Sequence, residues 1–132
     1  MRYRKGYKYQ VYEDETFLTG IKGHEVHSDF IDLEKDGKLT CKKGYAYDGA
    51  SGPTWDSKSS MRASLIHDAG YQLMREKWIT LEYKIVFDGL LYLTLLHDGM
   101  SRIRAWLWYQ AVLKFGKGST LPENDREILE AP

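Results

Sequence analysis

The chain has 132 residues, 42% hydrophobic and 29% charged, a length that fits one domain with its own core and a composition that excludes fibrous and disordered classes. Nineteen basic and nineteen acidic residues cancel, so no global field draws the molecule to nucleic acid or to an anionic membrane, and any lipid or phosphate binding must be local. Cys41 is the single cysteine, which excludes an internal disulfide and a thiolate zinc cluster and suits a reducing compartment.

The first residues, Met1-Arg2-Tyr3-Arg4-Lys5, enter no apolar run of signal-peptide length, and the longest apolar stretch, Ile85 to Leu96, is broken by Asp88 and Gly89. The expectation is a product with no signal peptide and no transmembrane segment, cytoplasmic in its host. Residues 1 to 47 read as strands and turns: Tyr3, Tyr7, Tyr9 and Val11 share odd positions, and Lys35-Asp36-Gly37-Lys38 is a hairpin-type turn between two β-compatible runs. Arg2, Arg4, Lys5 and Lys8 interleave with these tyrosines, a pattern that can track a nucleic-acid strand. Glu13, Asp14 and Glu15 follow at once, and a solvated edge strand shows the same pattern, so no nucleic-acid partner is expected.

Residues 48 to 58 carry two glycines, a proline and short polar side chains, the composition of a shaped loop. It ends where Ser59 or Ser60 can cap a helix. Helix one runs from about Ser60 to Lys77, with an apolar stripe of Ala63, Ile66, Gly70, Leu73 and Met74. Helix two follows Thr80, an N-cap candidate, and runs to about Asp98, where Gly99 stops it. Helix three starts near Ser101 and ends at Gly116; its Ile103, Trp106, Leu107, Gln110, Ala111 and Leu113 are expected to pack against the other two. The tail, 117 to 132, is polar and expected on the surface, with a short helical turn at Glu123 to Leu129. The expected fold class is α+β in a single domain, with N-terminal antiparallel β-hairpins or a small sheet, a loop at 48–58, and a three-helix core at 59–116.

The chemistry concentrates in Asp48-Gly49, His67-Asp68 and Asp88. Asp48 lies 19 residues before His67 and Asp88 lies 21 after it, which suits a loop followed by two antiparallel helices whose inward faces meet. Adjacent helical residues project about 100° apart, so His67 and Asp68 divide the labour. Asp68 can bind a cation with Asp48 while His67 handles a water. A hard cation fits this oxygen set, and a loop containing Gly49 can turn backbone carbonyls inward as further ligands, which favours calcium over magnesium. Asp88 sits among Ile85, Val86, Phe87, Leu90 and Leu91, where an unpaired charge is costly, and the neighbouring helix offers His67 as its partner. A carboxylate on one imidazole nitrogen fixes the tautomer and leaves the other to deprotonate water, while the cation stabilises the oxyanion formed on an ester carbonyl. The same pair also serves as a purely structural hydrogen bond between helices. His97-Asp98 reads as a solvated helix end and carries no role.

Asp48-Gly49-Ala50-Ser51, His67-Asp68-Ala69-Gly70-Tyr71, Asp88 and the string from Ala105 to Gly116 together resemble the helical core of the prokaryotic-type secreted phospholipase A2 enzymes over residues 45 to 116. The resemblance implies a phospholipase A2-like three-helix core, calcium at Asp48 and Asp68, His67 as base and Asp88 orienting it. Tyr71 matches the family's H-D-x-x-Y pattern. Those enzymes tie the calcium loop to the His-Asp helix by a disulfide, and the corresponding positions here are Ala50 and Ser64. Trp55, beside the loop, either supports the site at a lipid interface or caps the core. Over nearly its full length the chain resembles more closely a family of phage and prophage proteins of unassigned activity, built on an Asp-Gly-Ala-Ser-x-Pro loop and a His-Asp helix. That resemblance implies a phage origin and either a cytoplasmic or a virion location. The partner is then a phospholipid or other ester substrate, or, for a non-catalytic scaffold, a phage or host protein.

Overall fold

A computed structural model describes residues 2–4, 9–47, 60–115 and 128–130. The N-terminal part holds seven short strands: β1 Arg2–Arg4, β2 Tyr9–Gln10, β3 Glu15–Leu18, β4 Val26–His27, β5 Ile31–Leu33, β6 Lys38–Cys41 and β7 Ala46–Tyr47. Three helices follow, α1 Met61–Arg75, α2 Lys84–His97 and α3 Arg102–Phe115, and a last strand, β8 Ile128–Glu130. The fold is α+β, with antiparallel sheets preceding the helices, as the sequence leads one to expect.

Strands β3, β6, β5 and β4 form one antiparallel sheet in that order, while β2 pairs with β7 and β1 with β8. Alternation sets its faces: Phe17, Val26, Ile31, Leu33, Leu39 and Cys41 are buried on one side, and Thr16, Thr40, Asp32 and His27 line up across the other. The register is pinned by the turn before β6. Gly37 adopts φ +99°, its N–H donates to the Glu34 carbonyl at 2.9 Å, and Asp36 accepts the Lys38 N–H at 3.0 Å.

The buried sheet face joins α1 in one core through Leu65, Ile66, Ala69, Leu73 and Met74. Tyr45 adds a polar tie, its hydroxyl donating to Gln72 Oε1 at 2.9 Å. Helices α1 and α2 run antiparallel: Arg62 meets Asp98, His67 meets Asp88, and Lys84 lies over the Tyr71 ring. Gly70 is what lets them close. A Cβ there would come within 2.2 Å of the Phe87 ring, and Phe87 is fully buried.

Both helices end in the same way. At the end of α1, Lys77 N–H donates to the Met74 carbonyl and Trp78 N–H to that of Leu73; at the end of α2, Gly99 donates to Leu96 and Met100 to Leu95, the crossed pair of a Schellman cap. Ser60 occupies the N-cap of α1 but makes no side-chain capping bond. Thr80 precedes a short 3-10 turn, Leu81–Tyr83, again without a side-chain cap bond, so α2 begins only at Lys84.

Two expectations are corrected. Residues 128 and 129 are strand, not helix, because Ile128–Glu130 pairs with Arg2–Arg4, with Tyr3 opposite Leu129, and a distant partner outweighs local helical preference. The stripe of α3 expected to pack inward faces out: Ile103 is 78% exposed, Trp106 50% and Leu107 60%. Ala105 and Trp108 are buried instead, with Leu91, Leu95 and Met100.

Candidate functional site

The α1 and α2 faces meet around one fully buried carboxylate. Asp88, with no exposed surface, would be prohibitively costly as a lone charge, and it is surrounded by donors. His67 Nε2 lies 2.8 Å from Oδ1 and the Tyr71 hydroxyl donates to the same oxygen at 2.5 Å. Lys84 donates to Oδ2 at 2.6 Å. Helical spacing assembles this set: His67 and Tyr71 are one turn apart on α1, their ring centroids 4.0 Å from each other, and Lys84 and Asp88 are one turn apart on α2. Lys84 also donates to the Val112 carbonyl at 3.2 Å, which ties the last turn of α3 to the cluster.

Because a carboxylate only accepts, His67 donates through Nε2–H and its Nδ1 carries the free lone pair. Among the described residues Nδ1 has no hydrogen-bond partner. Burial holds the His67 imidazole below its ordinary pKa, against the opposing pull of Asp88, and the Lys84 ammonium adds to the lowering. The ring is therefore neutral near pH 7, the state a proton acceptor requires. For Asp88, burial alone would raise the carboxyl, but the bonds from His67, Lys84 and Tyr71 together bring it below the usual carboxylate range. Burial, and then the bond to Asp88, pushes the Tyr71 hydroxyl up, so it remains a donor.

The structure thus brings together His67, Asp88 and Tyr71. Asp68, half-buried, lies near enough for its charge to raise both Tyr71 and Cys41. Asp48, Gly49 and Trp55 lie outside the described residues, as do Ala50 and the rest of the loop. Among the described residues no group of three or more His, Cys, Asp or Glu side chains is placed to hold a metal ion, and Asp68 is the one expected calcium ligand they contain. Ser64, at the position matched to the phospholipase cross-link, is buried, and its hydroxyl has no partner among the described residues.

Lys84 is the member of the cluster that sequence reasoning passed over. Its signal was present: a lysine four residues before a carboxylate on an apolar helix is the standard intrahelical pair, and a buried Asp needs more than one donor.

Fold and cluster define an α+β protein whose antiparallel helix pair encloses a His–Asp–Tyr–Lys network. Set against protein-family models, curated proteins and solved structures, the chain matches none of them. No helix among the described residues is long and apolar enough to cross a membrane.

Proposed function

We propose that the chain is a phage-encoded, phospholipase A2-like hydrolase, dependent on calcium, that cleaves phospholipid or another ester with His67 as general base. The observation that carries this reading is the direction of the His67 ring: Asp88 engages Nε2 at 2.8 Å, which leaves Nδ1 as the acceptor on a neutral ring that keeps 7% exposure. A water held at Nδ1 gives up its proton there and attacks the ester carbonyl. The same proton is then delivered to the leaving alkoxide, while Asp88 holds the ring and balances the transient imidazolium. A calcium ion held by Asp48, Asp68 and the Gly49 carbonyl would supply positive charge to the developing oxyanion. Two carboxylates with a loop carbonyl are the donor chemistry such an ion takes.

One observation favours a second reading, a non-catalytic scaffold in a virion or bound to a host factor. Lys84 already balances the Asp88 charge from 2.6 Å, which reduces the pull Asp88 exerts on His67 and suits a structural network. Calcium titration by calorimetry separates the two. The hydrolase reading expects saturable binding that Asp48→Asn and Asp68→Asn each abolish; no binding at millimolar calcium would leave the scaffold.

A further inference from the structure

Helix α3 is apolar on two opposite faces. Ala105, Trp108 and Val112 pack with α2 residues, while positions 103, 106, 107, 110 and 113 recur at helical spacing on the other side. There Ile103 is 78% exposed, Leu107 60%, Trp106 50% and Leu113 36%. The surface continues onto α2: Tyr92 stacks on Tyr109 at 5.2 Å and meets Trp106 edge-on at 6.3 Å, and Leu93 beside it is 61% exposed. A helix with apolar residues on two opposite faces is one that something covers on both sides, and contiguous exposed apolar surface of this kind marks an interaction site.

The charges around this face identify what covers it. Between Lys84 and Lys114 the only acids are Asp88 and Asp98. The first is fully buried and bonded, and the second is 16% exposed and held by Arg62 at 2.8 Å. Arg102 and Lys114, both exposed, stand at the two ends of the stripe without an ion pair among the described residues. Among the described residues of α2 and α3 the face is therefore aliphatic and aromatic, bounded by cations and without an exposed carboxylate. A second copy of the chain fits it poorly, since an isologous antiparallel pairing sets Arg102 of one copy against Lys114 of the other.

We propose that the outer face of α3, continued by Tyr92 and Leu93 of α2, docks on an anionic lipid surface. Ile103, Leu107 and Leu113 enter the boundary of the acyl chains, and the Trp106 and Tyr109 rings lie at headgroup level, where such rings are favoured. Arg102 and Lys114 reach the lipid phosphates from either end. The zero net charge of the whole chain does not oppose this, because surface charge acts within about a Debye length, roughly 8 Å at physiological salt. The proposal holds whether or not His67 is catalytic.

The test is co-sedimentation of the full chain with vesicles of ether-linked phosphatidylcholine, alone or mixed equally with ether-linked phosphatidylglycerol, lipids that ester hydrolysis cannot consume. The expected result is association with the anionic vesicles about tenfold stronger than with phosphatidylcholine alone. Ile103→Glu and Leu107→Glu should each weaken it about tenfold without moving the melting temperature, and Arg102→Gln with Lys114→Gln should erase the anionic preference. Absence of binding, binding indifferent to anionic lipid, or binding that Ile103→Glu and Leu107→Glu leave intact would overturn the proposal. So would a concentration-dependent dimer in sedimentation velocity that Leu107→Glu dissolves, since a second copy would then cover the face.

Discussion

Lys84 and Asp88, one helical turn apart on α2, form a 2.6 Å ion pair around a carboxylate with no exposed surface. The remaining oxygen of Asp88 serves His67 and Tyr71, so each of the three donors offsets part of a desolvation cost that none could meet alone. Lys84→Met should therefore lower unfolding stability by about 3 kcal/mol, the usual cost of leaving a buried charge short of its partner. Urea denaturation measures it. The double variant Lys84→Met/Asp88→Asn should recover part of the loss, because the charge that needed the partner is gone.

Acid should act on the same network in two stages. Burial holds His67 below its ordinary value of 6.5, so below about pH 6.5 the unfolded chain takes up a proton that the folded chain refuses, and stability falls from there. Asp88 is held below its ordinary 3.8; its contribution is complete above that value and is lost as the pH drops through the folded pKa. His27 works in the opposite sense, because the bonds its ring donates to Glu25 and Asp32 raise it, and its contribution is present in acid and lost as pH rises through the raised pKa. Unfolding free energy measured from pH 8 to 5 for the wild type and for His67→Gln isolates the first stage. The wild-type curve should fall below pH 6.5 relative to the variant.

A third prediction concerns the end of α1. Its Schellman cap places Lys77 at φ 64°, whereas the equivalent position after α2 is Gly99 at φ 100°. A side chain in the left-handed region costs about 1 kcal/mol or more, and glycine's extra freedom in the unfolded chain returns some of that. Lys77→Gly should raise stability by about 0.5 kcal/mol, and thermal unfolding would register it as a higher Tm. A lower Tm would mean that the Lys77 side chain does more than tolerate its backbone.

Much of the architecture was legible from local rules. Thr80, Gly99 and the spacing of Ile66, Leu73 and Met74 bounded the first two helices to within a few residues, since caps and periodicity act over one or two turns. The pairing of His67 with Asp88 followed from a charge among apolar neighbours. What escaped was non-local or degenerate. The strand at Ile128–Glu130 exists through its partner Arg2–Arg4, more than a hundred residues away in sequence. The inward face of α3 could not be chosen because Ala105, Trp108 and Val112 form a second apolar stripe with the same period as Ile103, Trp106 and Leu107. Lys84 escaped for a simpler reason: His67 already answers the charge of Asp88 from α1, and a lysine one turn back along α2 also reads as an ordinary solvated residue at the start of a helix.

The central claim, that His67 is a general base for calcium-dependent ester cleavage, is tested most directly by fatty-acid release from a short-chain phosphatidylcholine. Wild type and His67→Asn would be compared, each with calcium and with chelator. Release by the wild type in calcium, reduced at least about a hundredfold by His67→Asn and equally lost in chelator, is the predicted result. A wild type that releases nothing, or a His67→Asn variant as active as the wild type, would contradict it and leave the His–Asp–Tyr–Lys network as the structural seam between two helices.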